Sequence, residues 1–311
     1  MYSLKLYSPL RYPGGKARFA PFIANVMEVN GLAGSHYLEP YAGGAGAALE
    51  LLIEGHASHV HLNDADPAVH AFWSAVINNT EELLKLVNDT PVTMDEWYRL
   101  RLLMNDPAVD ASTAERGFAT LFLNRTNRAG ILKGGVTGGK AQDGRYKLDA
   151  RYDKAMLSQR IERVAKYASQ ISVYCEDALA LLQRCDEFLP PDSMIYLDPP
   201  YYVKGASLYR RAYTHADHAV IAQHLQCASF RRAWLVSYDN APEISLLYED
   251  SQSLGFDLHY CAQKRQFADE LMLFKRGLKL PKMAILPTVK QHRTSRRIAG
   301  SFDQPRAQCT Q

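Results

Sequence analysis

The stretch HYLEPYAGGAGAALELLIEGHASHVHL, residues 36–62, limits this chain to few architectures. A short apolar run leads into a glycine-rich turn, then a helical pattern that Gly55 stops, then a second apolar run. Glycine just past the last helical residue is the common left-handed stop. Two strands joined through a helix run parallel, and such crossovers are right-handed in nearly all sheets. An acidic turn and a helix opening at Pro67 follow, where the missing proline N–H costs nothing. The first third therefore predicts an α/β fold built on a parallel sheet.

From about residue 80 to 169 the pattern changes to helices, EELLKLV, MDEWYRLRLLM and AERGFATLFL, broken by the glycine-rich basic stretch AGILKGGVTGGKAQDGRYKLD. This reads as an inserted helical subdomain that carries a flexible hairpin or loop. Alternation then resumes with strand-like ISVYC, helix-like DALALLQRC, the strand SMIYLD, a helix near HADHAVIAQHLQCA and the strand AWLVSYD. The last two apolar runs, GFDLHYCAQ and ELMLFKR, are close enough to pair antiparallel. The expected organisation is one catalytic unit from residues 1–79 and 170–276, an insertion at 80–169, and a basic, flexible tail at 277–311.

Charge is unevenly spread over the 311 residues. Residues 275–311 hold nine Lys/Arg against one acid, and residues 124–166 hold eleven against four, so the remainder is acidic. An acidic body with a basic middle and tail suits a polyanionic partner. Five scattered cysteines, Cys175, Cys185, Cys227, Cys261 and Cys309, form no CxxC pair. They argue against a zinc site or a disulfide scaffold and fit a reducing compartment. No apolar run approaches the roughly 20 residues that span a bilayer. The stretch MYSLKLYSPLRYPGGK has no hydrophobic signal core, and a cytoplasmic protein is expected.

Three motifs carry chemistry. In LEPYAGGAGAALELL, residues 38–52, glycines after a strand let the backbone approach a ligand, and the helix start offers free N–H groups. The dinucleotide pattern GxGxxG is incomplete, since Leu49 replaces its last glycine, and a packed turn is an equal reading. In LNDAD, residues 62–66, a carboxylate can accept from both hydroxyls of a ribose. Asp64 takes that assignment, while Asp66 before Pro67 is also a natural helix N-cap. In SMIYLDPPYYVKG, residues 193–205, a buried strand ends on Asp198, on the ligand side of an open sheet. Pro199 and Pro200 have no N–H, so their carbonyls can point into a site, and Tyr201 adds a flat face. Two acceptors beside an aromatic ring match an amino group on a planar heterocycle, the need of a base extruded from a duplex.

DPPY after a strand, the EPxxGxG-like turn and RYPGGK at residues 11–16 together resemble the D12 class of DNA adenine-specific methyltransferases, the group that includes the Dam enzymes. The similarity runs to about Arg276 in the same motif order. LFLNRTNRAGIL resembles the start of that family's recognition hairpin, and VSYDN and DELMLF resemble its last strands. The resemblance implies a Rossmann-like S-adenosyl-L-methionine (AdoMet)-dependent sheet with an inserted, mainly helical target-recognition subdomain. It implies AdoMet as cofactor with no metal, double-stranded DNA as partner, and a bacterial or phage-encoded protein.

Carried over by residue, Tyr12 and Lys16 would contact AdoMet, with the Lys16 ammonium near the methionine carboxylate. Tyr12 stands where the family often has Trp. Glu39 and Gly43 would line the methionine end, Asp64 would hold the ribose, and Asp177 would meet the cofactor's adenine amine or cap a helix. Ala178 stands where Phe is common, and Ala45 where glycine is; its methyl calls for a negative φ. Asp198, beside the cofactor, and the Pro199 carbonyl would accept hydrogen bonds from the target adenine's exocyclic amine. Pro200 and Tyr201 complete the catalytic motif, with Tyr201 stacked on the base. Transfer would be direct, without metal or covalent nucleophile. His215, His218 and His224 read as surface or core residues.

The basic loop residues Lys133, Lys140, Arg145 and Lys147 are expected on DNA phosphates or in a groove. Asn124, Arg125, Asn127 and Arg128 either hold the hairpin or touch bases. Phosphate contacts would supply affinity and few side chains would read sequence. Two other functions fit the same motifs: methylation of RNA or a protein amide, and a silent DNA-binding relative. The basic insertion and Asp before the prolines favour DNA; intact Tyr12, Lys16, Asp64 and Asp198 favour an enzyme. The sequence leaves open the target site, an accompanying restriction or defence nuclease, the oligomeric state, the tail and Tyr202.

Overall fold

A computed structural model describes residues 7–12, 16–203, 213–259 and 267–281. Residues 13–15 of the lysine motif lie outside the described residues. Of the expected flexible tail at 277–311, the described start is held: Lys279 exchanges hydrogen bonds with Asn30 at 2.9 and 2.8 Å, and Leu278 and Leu280 lie against the core; from residue 282 it lies outside the described residues.

β1 (His36–Glu39) and β2 (His59–Asn63) pair in parallel with His36 opposite His59, joined by α2 (Gly46–Ile53). β3 (Ile171–Tyr174) adds to the outer side of β2. β4 (Ser193–Leu197) adds to the other side of β1, and β5 (Ala233–Asp239) to β4, all parallel. β6 (Gln252–His259) and β7 (Phe267–Phe274) pair antiparallel, as their two apolar runs predict, and β7 docks antiparallel on β5. The order is β3-β2-β1-β4-β5-β7-β6. Strand addition thus reverses direction between β1 and β4, and a crevice opens at the carboxyl ends there.

Successive strand residues face opposite sides, so each buried strand feeds two cores. Tyr37, Met194, Tyr196 and Leu235 pack on one face, and Leu38, Ile195, Leu197 and Val236 on the other. α8 (Ala178–Gln183), α9 (His215–Gln226) and α10 (Pro242–Leu247) cover the second face. The first face receives α1 (Ala20–Val29), α2, α3 (Pro67–Asn78) and four further helices between β2 and β3. These are α4 (Thr80–Asp89), α5 (Met94–Asn105), α6 (Thr113–Thr126) and α7 (Lys154–Ala165).

α6 is buried almost all round, from Ala114 to Thr126, because α3, α4 and α5 surround it. A capping box between Ser112 and Glu115 starts it. Gly117 lets it lie close to α3: an added Cβ would stand 2.7 Å from the Ala75 methyl and 2.8 Å from the Ala71 carbonyl. Leu83, Trp97, Phe118 and Ile161 share one core with Tyr37 and Phe72, so the helices between β2 and β3 join the sheet's own packing. Between α6 and α7 the chain forms short turns, and among the described residues its ladder is reduced to the single bridge Asn127–Val136. Among the described residues no helix is long and apolar enough to cross a membrane.

Candidate active site

The glycine turn after β1 is held from two sides. Gly43, with φ of +45°, donates its N–H to Asp64 Oδ2 at 2.9 Å. Its carbonyl accepts from Trp73 Nε1 at 2.9 Å. A side chain here would strain the backbone and meet the Tyr12 ring 2.7 Å from its Cβ, so Tyr12 lies against the turn. Ala45 departs from expectation: its φ is +48°, left-handed, where an L side chain costs roughly 1 kcal/mol. The turn demands this conformation, since the Ala45 N–H returns to Ala42 O at 2.6 Å before α2 begins.

Glu39 ends β1 beneath the turn and is 5% exposed. Its Oε1 accepts from the Ala48 N–H at 3.0 Å and from the Tyr37 hydroxyl at 3.1 Å. Burial pushes its carboxyl up to about 8, with both hydrogen bonds opposing, so Glu39 holds a proton near neutrality. It fastens the start of α2 from below. Asp64 also accepts the Asp66 N–H at 2.9 Å on Oδ1.

Asp66 caps α3 through the Ala68 N–H at 3.0 Å. Asp177 caps α8 through the N–H groups of Leu179 and Ala180 at 3.0 and 3.3 Å, the second of its two readings, while remaining exposed. Buried Asn63 ties the strand ends together: its amide donates to Pro40 O and Glu176 O and accepts from the Glu176 N–H. Tyr213 closes this side by accepting from the Tyr41 hydroxyl at 3.0 Å. Burial raises its hydroxyl to about 12; the bond from Tyr41 opposes, and the charges of Asp177, Asp217 and Asp64 add to the rise.

The corner after β4 gathers the chemistry. Asp198 Oδ1 accepts from Ser237 Oγ at 2.8 Å and lies 3.4 Å from Lys16 Nζ. Ser237 in turn bonds the Tyr196 hydroxyl at 2.8 Å. Lys16, 5% exposed, reaches Glu270 Oε2 at 2.8 Å and the Tyr201 hydroxyl at 3.1 Å. The Tyr201 hydroxyl donates to Glu270 Oε1 at 2.9 Å. Burial raises the Asp198 carboxyl to about 6; Lys16 pulls it down, Glu270 pushes it up, and Ser237 lowers it again. Lys16, expected beside a methionine carboxylate, has its ammonium among Glu270, Tyr201 and Asp198. Pro199 and Pro200 are buried and add no N–H to it.

Beyond the prolines, Asp239 accepts the N–H groups of Tyr202 and Val203 at 2.8 and 2.9 Å, which turns the chain away from the site. Tyr202 has a place in this arrangement, its hydroxyl 3.1 Å from His215 Nδ1 and its ring against His218. Ser237, Asp239 and Glu270 escaped the sequence reading. The available signal was an uncharged or acidic side chain inside buried strands, AWLVSYD and ADELMLF, which must find partners.

Of the residues left between hairpin support and base contact, three are buried supports. Asn124, 1% exposed, accepts the Arg11 N–H at 2.7 Å and donates to Arg11 O and Gly130 O, both at 2.8 Å. Arg125 donates to Pro9 O at 2.7 Å. Asn127 accepts from Trp97 Nε1 at 2.8 Å and donates to the carbonyls of Ile131 and Leu132. Asn124 and Arg125, with Arg160 on Ser8 O, fasten the segment that leads into Tyr12 and Lys16, while Asn127 holds the turn after α6. Arg128, Lys133, Lys140, Arg145 and Lys147 are exposed. Arg128 and Lys140 line a groove of about 430 Å³ with Trp97, Tyr98 and Arg101. Arg101 is held over the Trp97 ring at 4.8 Å and donates to Gly134 O. The groove's lining contains no acid.

A doubly wound sheet with a reversed last strand, a glycine turn after β1 and an acceptor corner after β4 define an α/β methyltransferase. Residues 12–267 match the family described as D12 class N6 adenine-specific DNA methyltransferase, and the chain belongs to that family. It is accordingly a DNA adenine methyltransferase, of a family that uses AdoMet. The curated type II methyltransferase M.MjaIII of Methanocaldococcus jannaschii is 24% identical over 220 residues, covering 67% of this chain and 73% of that protein. Two solved structures overlay loosely at 11% identity. A candidate RNA methyltransferase of Pyrococcus horikoshii gives a TM-score of 0.38, covering 85% of this chain and 84% of that one. A Legionella pneumophila protein gives 0.31, covering 84% and 86%. Neither overlay bears on the chemistry.

Proposed function

We propose that this enzyme uses Asp198, the Pro199 carbonyl and Tyr201 to receive an adenine turned out of duplex DNA. Asp198 and the Pro199 carbonyl accept the two hydrogens of the exocyclic amine, and Tyr201 stacks on the ring. Holding both hydrogens fixes the nitrogen lone pair out of conjugation and aims it, so positioning and charge complementarity supply most of the acceleration. AdoMet, when bound, supplies the electrophilic methyl. Tyr12 over the Gly43 turn, with Asp64 bonded to that turn and Asp177 at the start of α8, fits a nucleoside: an aromatic face, a backbone cradle and acidic side chains.

The observation that carries this reading is the placement of Asp198 at the carboxyl end of β4, half-buried beside Lys16 and Ser237, with Glu270 behind Lys16. The groove beside α5, with Arg101, Arg128 and Lys140 and no acid, supports phosphate contact, and exposed Lys133, Arg145 and Lys147 extend it. The name of the curated relative supports a restriction or defence nuclease as functional companion, and a cytoplasmic location suits a DNA substrate. The test is transfer of labelled methyl from AdoMet to a duplex library, with the modified base mapped. Asp198→Asn is expected to lower kcat at least about 10³-fold while AdoMet still binds by calorimetry. Full activity in Asp198→Asn, or label on RNA or protein in place of DNA, overturns it.

A further inference from the structure

We infer that Glu270, on β7, is a positioning residue for methyl transfer, acting on the reaction through Lys16 and Tyr201. It rests on the reading of Asp198 as the amine's acceptor. Glu270 is 2% exposed and commits its two oxygens separately: Oε2 to Lys16 Nζ at 2.8 Å and Oε1 from the Tyr201 hydroxyl at 2.9 Å. Each of these partners belongs to the catalytic corner. Lys16 Nζ is also 3.4 Å from Asp198 Oδ1 and 5.2 Å from the centre of the Tyr201 ring.

Two consequences follow from elementary electrostatics. First, an ammonium beside Asp198 competes with the substrate amine for the acceptor oxygen. The shorter Glu270–Lys16 pair, 2.8 Å against 3.4 Å, holds the ammonium toward β7 and leaves Asp198 available. Second, Lys16, Asp198 and Glu270 together carry one net negative charge when ionised. The amine gains positive charge as its nitrogen–carbon bond forms, so a negative corner favours the transition state over the ground state. With glutamine at this position the corner would be neutral and both effects would fall away. The same carboxylate fixes the ring that stacks on the base. A glutamate placed only to compensate a buried lysine would bind Lys16 alone; the second bond, to the Tyr201 hydroxyl, serves the stacking face.

Asp198 is faced by Lys16 from the residue 16–19 turn, Glu270 from β7, Tyr196 and Ser237 from β4 and β5, and Tyr37 and Glu39 from β1. Glu270 raises its carboxyl, so removing that charge moves the acid limb of kcat/KM to lower pH. The experiment compares Glu270→Gln, Glu270→Asp and Asp198→Asn on one DNA duplex, with AdoMet affinity and Tm alongside. Glu270→Gln is expected to lower kcat about 100-fold, to leave KM for AdoMet within about 3-fold, and to shift the acid limb downward. Glu270→Asp keeps the charge, and is expected to keep the wild-type limb and recover part of kcat. Should Glu270→Gln fold poorly, Lys16→Met with and without it gives the answer: Glu270→Gln then adds a further loss of kcat, through the Tyr201 hydroxyl and the lost negative charge, and no further loss overturns the inference. A folded Glu270→Gln with wild-type kcat or an unmoved acid limb, beside an inactive Asp198→Asn, overturns the inference alone. Activity in Asp198→Asn overturns the acceptor reading beneath it.

Discussion

At the scale of single residues, the site is tuned by neighbours that share no sequence proximity with it. Ser237 stands 39 positions from Asp198, yet its hydroxyl is the hydrogen bond that favours the ionised acceptor. Ser237→Ala removes it, so the Asp198 carboxyl rises and the acid limb of kcat/KM moves to higher pH, opposite to the shift from Glu270→Gln. The Tyr196 hydroxyl loses its partner as well, which costs about 1 kcal/mol of stability. Ser237→Thr keeps the hydroxyl and is expected to restore both. A pH–rate profile and a denaturant midpoint measure the pair of effects; a limb that stays in place in Ser237→Ala contradicts the assignment. Ala45 teaches a different lesson: the glycine-rich turn was readable, but the sign of φ at one residue depended on where the Ala42 carbonyl lay.

Elements were legible wherever periodicity and punctuation agreed. The apolar runs at β1, β2, β4 and β5 became buried parallel strands, and Asp66–Pro67 began α3 with the side chain as cap. LFLNRTNR was less legible, because polar residues in a helix read as exposed contacts until the surrounding helices are known. Enclosed by α3, α4 and α5, Asn124 and Arg125 can only face protein. Asn124 therefore joins α6, the turn at Gly130 and the segment before Tyr12. Asn124→Ala leaves two backbone carbonyls and one N–H without their partner, and is expected to cost about 3 kcal/mol in a urea midpoint taken at constant slope. Activity per folded molecule falls too, since Arg11 leads directly into the motif that ends at Lys16. An unchanged midpoint refutes the structural role and returns Asn124 to the DNA face.

Across the whole molecule, the two ends of the sheet respond to pH in opposite directions. At the end away from the site, His36 and His59 stack at 4.9 Å, and His61 bridges His36 and the Tyr174 hydroxyl at 3.0 and 2.9 Å. Burial lowers all three, and His61, pressed further by His59 and His36, falls to about 3. The unfolded chain then binds more protons than the folded one below about pH 6.5, so stability is lost as pH falls from there toward 3. Glu39 at the catalytic end is raised to about 8 and does the reverse, losing stability as pH climbs through that value. Measuring total stability would blend the two slopes; difference measurements separate them. The wild-type advantage over His61→Gln should shrink by up to about 1.4 kcal/mol per pH unit below pH 6.5, while kcat stays that of the wild type. The advantage over Glu39→Gln should shrink as pH rises from about 4.5 to 8. If His61→Gln moved the acid limb of kcat/KM, the histidine cluster and the acceptor corner would be coupled through the sheet; an unmoved limb beside a flattened acid stability curve assigns the first to Asp198 and the second to the histidines.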